Sequence, residues 1–257
     1  MRLRRSVIAA SVALTAAAAL ASTAPPGTLS LVPNTAGHAS KLVIDASLGG
    51  NAQSNAQVQS VVLSGTRGLR FDPRSRRARC TSQQASNFGC PAASRIGTGQ
   101  AQGHASGALV PGGRYDFTAS IQAFLAPPQQ SGDLAGVVLQ FNEPKSGQRG
   151  STTGRVVPVA SGPFGIQLRF DDLGGAMPPP PGVTITIDRL QMTSGAKRRV
   201  VRSRTVRRHG RRVRVRRRIT YSLLTNPRTC GGSWPYQLVV TYSDHQQVYD
   251  GSAPCSR

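Results

Sequence analysis

The densest concentration of chemically active side chains is an arginine-rich segment between Lys197 and Arg218. Thirteen of the chain's 32 lysine and arginine residues lie in it, and no acidic residue interrupts them. Guanidinium groups bind phosphate and carboxylate groups through paired hydrogen bonds, and a polyanion bound in this way releases counter-ions. We therefore expect contact with anionic cell-wall polymers, a membrane surface or, without sequence preference, nucleic acid. The candidate polyanion-binding residues are Arg202, Arg204, Arg212, Arg214, Arg216 and Arg218.

Such a run of like charges is usually disordered. Here, however, apolar and polar residues alternate through residues 212–223, interrupted only by Arg217, which favours a β-strand. His209-Gly210 suits a two-residue turn, so we predict a hairpin over residues 197–218 that projects from the fold. In its register Arg202 faces Arg217, which is unfavourable without a counter-ion. The alternative is a solvated insertion that binds no specific ligand.

Residues suited to catalysis are sparse. The ten acidic residues include a single glutamate, and no histidine stands at a spacing typical of a catalytic triad. No cluster has the spacing of a zinc or calcium site, and no glycine loop is placed to cradle phosphate. We therefore expect no enzymatic activity, no metal and no cofactor. The alternative is a secreted hydrolase whose site is assembled from residues distant in sequence, with Asp188, His104 or His245 as candidates.

Four cysteines indicate structural disulfides in an oxidising compartment. Three pairings are possible, and locality favours Cys80–Cys90 and Cys230–Cys255 because each pair brackets a turn-rich stretch. Each bridge is expected to contribute about 2–4 kcal/mol by constraining the unfolded chain. A zinc site is the alternative, but no cysteine pair has the short spacing that zinc sites use.

The first residues indicate export. Residues 1–21 combine a positively charged N-terminal region, an apolar run and a small-residue cleavage site after Ala21, as in a signal peptide. These features do not distinguish between the general secretory and the twin-arginine export routes. Residues 22–40 have the composition of a flexible mature N-terminus. The protein is therefore expected to be secreted or associated with the cell envelope.

From residue 41 onward, short runs rich in β-branched residues recur between turn signals. We predict a mostly antiparallel all-β sandwich over residues 41–257, with a candidate sub-division at 174–182. A short helical turn is expected between Cys80 and Cys90, capped by Thr81 or Ser82. The predicted strands are 41–46, 57–63, 115–125, 136–142, 154–159, 164–171, 183–189 and 236–242.

The cysteine-bearing stretches together resemble a known pattern. One runs from Leu69 to Gly99 and the other from Leu224 to Cys255, giving C-x9-C-P-x2-S-x-I-G-x-G followed by T-N-P-x-T-C. The arrangement resembles that of exported, functionally uncharacterised proteins of high-GC actinobacteria, and it spans most of residues 57–255. The resemblance implies an exported, disulfide-stapled β protein and carries over no catalytic or ligand-binding residue. The segment 197–218 looks like an insertion relative to the pattern.

These observations favour a non-enzymatic structural or binding protein of the envelope or extracellular space. Its arginine hairpin is the predicted contact with anionic partners. The sequence assigns no oligomeric state.

Overall fold

The computed structural model describes residues 27–48, 57–176, 179–208 and 211–257. The predicted signal peptide and the predicted turn at 209–210 lie outside these residues. Fifteen strands and one α-helix, α1 (Ser82–Ser86), occur in the described ranges. The strands of the first half are β1 (Gly27–Val32), β2 (Ala39–Ser47), β3 (Val58–Thr66), β4 (Arg70–Phe71), β5 (Arg95–Ser106), β6 (Arg114–Ala126), β7 (Ala135–Asn142) and β8 (Arg149–Pro158). The strands of the second half are β9 (Phe164–Phe170), β10 (Thr184–Ser194), β11 (Lys197–Arg208), β12 (Arg211–Ser222), β13 (Leu224–Thr225), β14 (Ser233–Tyr242) and β15 (Gln246–Pro254).

Thirteen of these strands form one antiparallel sheet. Its order is β15-β14-β3-β9-β8-β7-β6-β5-β10-β2-β13-β4, and β1 also pairs with β2. In a flat sheet β14 and β2 would lie about 38 Å apart, since neighbouring strands are about 4.8 Å apart. Instead, the Tyr242 hydroxyl donates a hydrogen bond to the Leu48 carbonyl oxygen at 2.8 Å, and Val240 packs against Ala46. The sheet therefore curls back on itself around a shared apolar interior.

The inner face of the curled sheet carries the main core. Strands β6 and β7 contribute alternating side chains such as Ile121, Leu125 and Leu139 to it. This alternation is the sequence pattern that predicts a strand with one face buried. The core also contains Leu223, which follows the arginine hairpin directly. The hairpin is therefore rooted in the centre of the fold.

A small second core lies on the outer face of β6 and β7. Helix α1 begins after Thr81, whose hydroxyl accepts a hydrogen bond from the Gln84 amide while the Gln84 side chain accepts one from the Thr81 amide. This reciprocal capping fixes the first turn of a helix too short to be stable alone. Ala85 of α1 packs with Cys80, Phe124 and Val138. The outer layer covers the apolar outward side chains Phe124, Ala126 and Val138, whereas the rest of the outer face of β6 is polar.

The all-β, antiparallel and disulfide-stapled fold predicted from the sequence is confirmed, and its facing layers are two parts of one sheet. All eight predicted strands are present, as is the capped helical turn. Strands on either side of the candidate sub-division at 174–182 are neighbours, because β10 lies between β5 and β2.

Part of the segment 22–40, for which a flexible mature N-terminus is predicted, forms a strand. Residues 27–32 form β1, which pairs with β2 along its whole length. Leu29 and Leu31 point into the interior, where Leu31 is buried and Leu29 borders a cavity, and this burial offsets the ordering entropy of the segment. Strands β5 and β15 have no counterpart among the predicted strands.

Both predicted disulfides are present, Cys80–Cys90 and Cys230–Cys255. Two such bridges indicate an oxidising environment outside the cytoplasm. Within the described ranges, no helix has the length and apolar character that a membrane crossing requires.

An ion pair fixes the loop between β6 and β7. The Asp133 carboxylate, 1% exposed, accepts hydrogen bonds from Arg155 at 2.8 and 3.0 Å and from the Gln130 amide at 2.9 Å. The hydrogen bonds from Arg155 hold the pKa of Asp133 below its usual value of 3.8. A carboxylate whose pKa is lowered by folding stabilises the fold above its unfolded pKa, and this stabilisation is lost as the pH falls through the folded pKa.

We predict that Asp133→Asn lowers the free energy of unfolding by about 1–3 kcal/mol at pH 7, because Arg155 loses its charged acceptor. The difference from the wild type should shrink as the pH falls below about 3.8, because the carboxylate is then protonated in the unfolded wild-type chain before it is protonated in the folded one. Urea denaturation at pH 7 and pH 3 measures both effects. Asp116→Asn, which removes an exposed carboxylate, is the control. An equal loss of stability at both pH values would contradict the prediction.

Candidate functional site

The arginine hairpin consists of β11 and β12, which form a sheet of their own. Its root is fixed where the chain leaves and re-enters the core. The Leu223 amide donates to the Ala196 carbonyl oxygen at 2.8 Å, and the Leu223 carbonyl oxygen accepts from the Asp72 amide at 2.8 Å. Both Ala196 and Leu223 are buried. The hairpin therefore extends outward from a rigid base.

Arginines from a separate segment support that base. The Arg74 guanidinium lies over the ring of Tyr221, 4.7 Å from its centroid, and is held there by two 2.9 Å hydrogen bonds to Asp72. Arg79 donates to the carbonyl oxygens of Pro73, Arg76 and Ala78 at 2.8–3.0 Å. Burial lowers the pKa of Arg79, and the nearby charge of Arg198 lowers it further. These arginines have structural roles.

The register of the hairpin is the predicted one. Val206 faces Val213, Val200 faces Ile219, and Arg202 faces Arg217. The opposed arginines bring like charges to directly facing positions of the two strands, which destabilises a strand pair.

The two faces of the hairpin differ. Arg212, Arg214, Arg216 and Arg218 occupy alternate positions of β12 and therefore share one face; we call them the arginine row. All four are exposed. Alternate residues of a strand are about 7 Å apart, so the row is about 20 Å long.

Small or uncharged residues of β11 flank most of the arginine row. Thr205 faces Arg214, Ser203 faces Arg216 and Val201 faces Arg218, whereas Arg212 faces another arginine. The only side-chain hydrogen bond from the row, among the described residues, runs from Arg214 to the Ser203 hydroxyl at 3.1 Å. The guanidinium groups thus retain donors for a ligand.

The six predicted polyanion-binding residues do not form one surface. The arginine row contains four of them. Arg202 and Arg204 lie on the opposite face, because they pair with Arg217 and Val215, which alternate with the row along β12. Arg198 and Arg217 accompany Arg202 and Arg204 there, and this face also carries Val200, Val215 and Ile219. The alternation of residues in the sequence already indicated that the hairpin has two different faces.

None of the described ion pairs involves a hairpin residue. All ten acidic residues lie within the described ranges, and each has another partner or contact. Asp45 is typical: hydrogen bonds from Arg189, and then from Gln191, lower its pKa to about 2. The ionic partners are Asp45–Arg189, Asp72–Arg74, Asp116–Arg114, Asp133–Arg155, Asp171–Arg169, Asp188–His104 and Asp244–His245. The others are Glu143 with the Lys145 and Ser146 amides, Asp172 with the Gly175 amide and Asp250 with Gln237.

Two of the candidate catalytic residues do meet. His104 Nδ1 lies 2.9 Å from an Asp188 carboxylate oxygen, and the two side chains are 14% and 43% exposed. Asp188 is the extra residue of a bulge in β10. It lies between Ile187, which pairs with Gly103 of β5, and Arg189, which pairs with Gln102. Thr186 faces His104 across the strands, and its buried hydroxyl has no hydrogen-bond partner within the described part of the chain.

The third candidate, His245, stands apart in the turn between β14 and β15. Its ring stacks on Tyr242 at 4.5 Å between centroids, and Nδ1 lies 2.5 Å from the Asp244 carboxylate. In the part of the chain that the structure describes, no three histidine, cysteine, aspartate or glutamate residues are grouped so that they could hold a metal ion.

Comparison with known proteins adds no relative. No protein family matches the chain, and neither the curated proteins nor the solved structures contain a match.

We predict that Arg202→Glu stabilises the hairpin, because the facing Arg217 then gains an opposite charge. A cross-strand pair of this kind contributes about 0.2–1 kcal/mol. Hydrogen exchange of the amides in β11 and β12 should slow accordingly. Arg202→Gln, which removes the repulsion without adding an attraction, should give an intermediate rate. Unchanged exchange in both variants would show that charge repulsion does not limit the hairpin.

Proposed function

We propose that the protein is a secreted or envelope-associated, non-enzymatic protein that binds extended anionic polymers through the arginine row. The observation that carries the proposal is the row itself: four exposed guanidinium groups on one face of a projecting strand. Because every carboxylate of the chain has a partner or contact elsewhere, the row's charge is best neutralised from outside. Arginine's planar fork suits phosphate and carboxylate groups equally.

The shape of the hairpin favours a polymer over a bilayer. Amphipathic helices that lie in a membrane surface bury a wide apolar face there. On the face of the row, Val201 is the one large apolar side chain, 58% exposed among cations, and Arg207 and Arg212 lie near the tip. A straight row of charges about 20 Å long matches several successive charges of an extended chain.

Recognition of single-stranded nucleic acid has little support. Single-strand binding proteins stack bases on exposed aromatic rings. The hairpin has one aromatic residue, Tyr221, and it is buried under Arg74. Nucleic acid is therefore expected to bind only as another polyanion, with strong salt dependence.

Export is the second part of the proposal. The two disulfides suit an oxidising compartment, and anionic polymers of the cell wall are accessible there. The segment at residues 1–21, in which positive charges precede an apolar run, is the expected export signal.

The test compares two variants that lose the same charge. One replaces Arg212, Arg214, Arg216 and Arg218 with glutamine, and the control replaces Arg198, Arg202, Arg204 and Arg217 with glutamine. Binding of polyphosphate is measured across a salt series. We expect the row variant to reduce the slope of log affinity against log salt by about 3, because four phosphate contacts are lost. The control variant should retain most of the affinity.

Further ligands identify the partner class. Poly-glutamate tests carboxylate recognition, duplex DNA tests nucleic acid, and phosphatidylglycerol vesicles test a membrane. Equal losses in the two variants would show that only net charge matters and would refute a site at the row. Binding to vesicles but not to soluble polymers would overturn the polymer proposal in favour of a membrane.

A second candidate function is hydrolysis, and the His104–Asp188 pair is the observation that favours it. In a triad a carboxylate orients the histidine through Nδ1 and leaves Nε2 to act as the base, which is the arrangement of this pair. The facing Thr186 would be the nucleophile, although it is only 5% exposed. Neither His104 nor Asp188 lines the two apolar cavities inside the curled sheet or the open cavity on the outer side of β2, β5 and β10, so the polymer-binding function is better supported.

For the hydrolase we predict that His104→Gln abolishes activity on a panel of chromogenic esters and phosphoesters. The melting temperature of the variant identifies a loss that is due to unfolding. If the wild-type protein shows no turnover on the panel, or if His104→Gln retains it, this candidate function is excluded for these substrates.

A further inference from the structure

The interior of the curled sheet is incompletely filled. A cavity of about 150 Å³ is lined by side chains from β1, β2, β3, β5, β7, β9, β10 and β14. Inward-facing aliphatic residues such as Leu63, Leu168 and Leu190 are only partly buried, although they face away from solvent. In a close-packed interior such residues are almost fully buried. The space that they border is therefore a real chamber in the fold.

A second chamber adjoins the first. It measures about 90 Å³ and shares seven lining residues with the larger one. Strand β3 lines both, from Val58 in the first chamber to Thr66 in the second. Eight residues of strand correspond to about 25 Å, so the chambers lie in line along the strands. The shared residues are Leu29, Leu63, Leu139, Leu168, Phe170, Met192 and Tyr236.

The lining is almost entirely apolar. No residue with a charged side chain lines either chamber, and the polar side chains are few: Gln57 in the first, Thr66 and Ser194 in the second, and Tyr236 in both. Gly174 lines the first chamber and is exposed, so the chamber comes close to the surface beside it. Burial raises the pKa of the Tyr236 hydroxyl, which keeps this group neutral between the chambers.

We propose that the two chambers form one binding site for a single aliphatic chain, such as that of a fatty acid or fatty alcohol. An apolar cavity of about 150 Å³ stays dry and accepts an apolar ligand. A compact ring would fill one chamber only, whereas a chain extends through both. Because the lining holds no charge, the chain is recognised by its length and shape, and its head group lies at the surface near Gly174.

The chain's single tryptophan reports on this site. Trp234 lines the second chamber and is 4% exposed. A dibrominated fatty acid that reaches the second chamber should quench its fluorescence through close contact. We expect saturable quenching with one equivalent bound, reversed by the unbrominated fatty acid. Dodecanol and lauric acid should compete equally well. Competition by the acid alone would contradict the proposal that the site recognises the aliphatic chain and not a charged head group.

The variant Leu63→Phe fills space that both chambers share and should weaken binding about tenfold, equivalent to about 1.4 kcal/mol. Its matched control is Val62→Phe, which lies next to it on β3 and points to the other face. Ala101→Leu, which fills the first chamber alone, is the second variant should Leu63→Phe unfold.

Filling an empty chamber should leave the melting temperature unchanged or raise it, whereas overpacking a solid core lowers it. Absence of saturable quenching in the wild type, or equal affinity in Leu63→Phe and Val62→Phe, would overturn the proposal. Quenching should persist in the arginine-row variant, so the outcome is independent of polymer binding.

Discussion

The rest of the structure depends on the closure of one antiparallel sheet around its own inner face. Closure brings β14 and β15 against β1 and β2, and Tyr242 of β14 donates a hydrogen bond to Leu48, the residue that follows β2, although β14 and β2 stand eight places apart in the sheet. Within the sheet, the paired strands β5 and β10 approach closely at Gly99. A Cβ atom on Gly99 would lie 2.2 Å from the carbonyl oxygen of Gln191, so only glycine fits there.

The sequence predicted the strands that are rich in β-branched or alternating apolar residues. It did not predict strands that form only because neighbouring strands pair with them. Strand β5 is rich in glycine, alanine and glutamine, which have low β-propensity, yet it is central because β6 and β10 pair with both of its edges. Strand β1 was not predicted, because its segment has the composition of a linker. The alternation of Leu29 and Leu31 with Thr28 and Ser30 was the signal for it.

The candidate sites show the same limit. The hairpin and its register followed from two local signals, the alternation along the second strand and the turn expected at 209–210. The contact between His104 and Asp188 joins residues 84 positions apart and depends on a bulge that shifts the register of β10, so spacing in the sequence could not reveal it. The interior chambers arise from closure of the whole sheet, and no short motif encodes them.

The two proposed sites meet at Leu223. This residue lines the second chamber, and its backbone fixes the root of the hairpin. Because Leu223 is 1% exposed and hydrogen-bonded through both its amide and its carbonyl group, it is held in one position. A rigid residue at this junction separates the apolar chemistry of the interior from the charge of the hairpin. The hairpin can therefore carry a net charge that destabilises its own strands without disturbing the packed fold beneath, since its repulsion is confined to an element that buries almost none of the core.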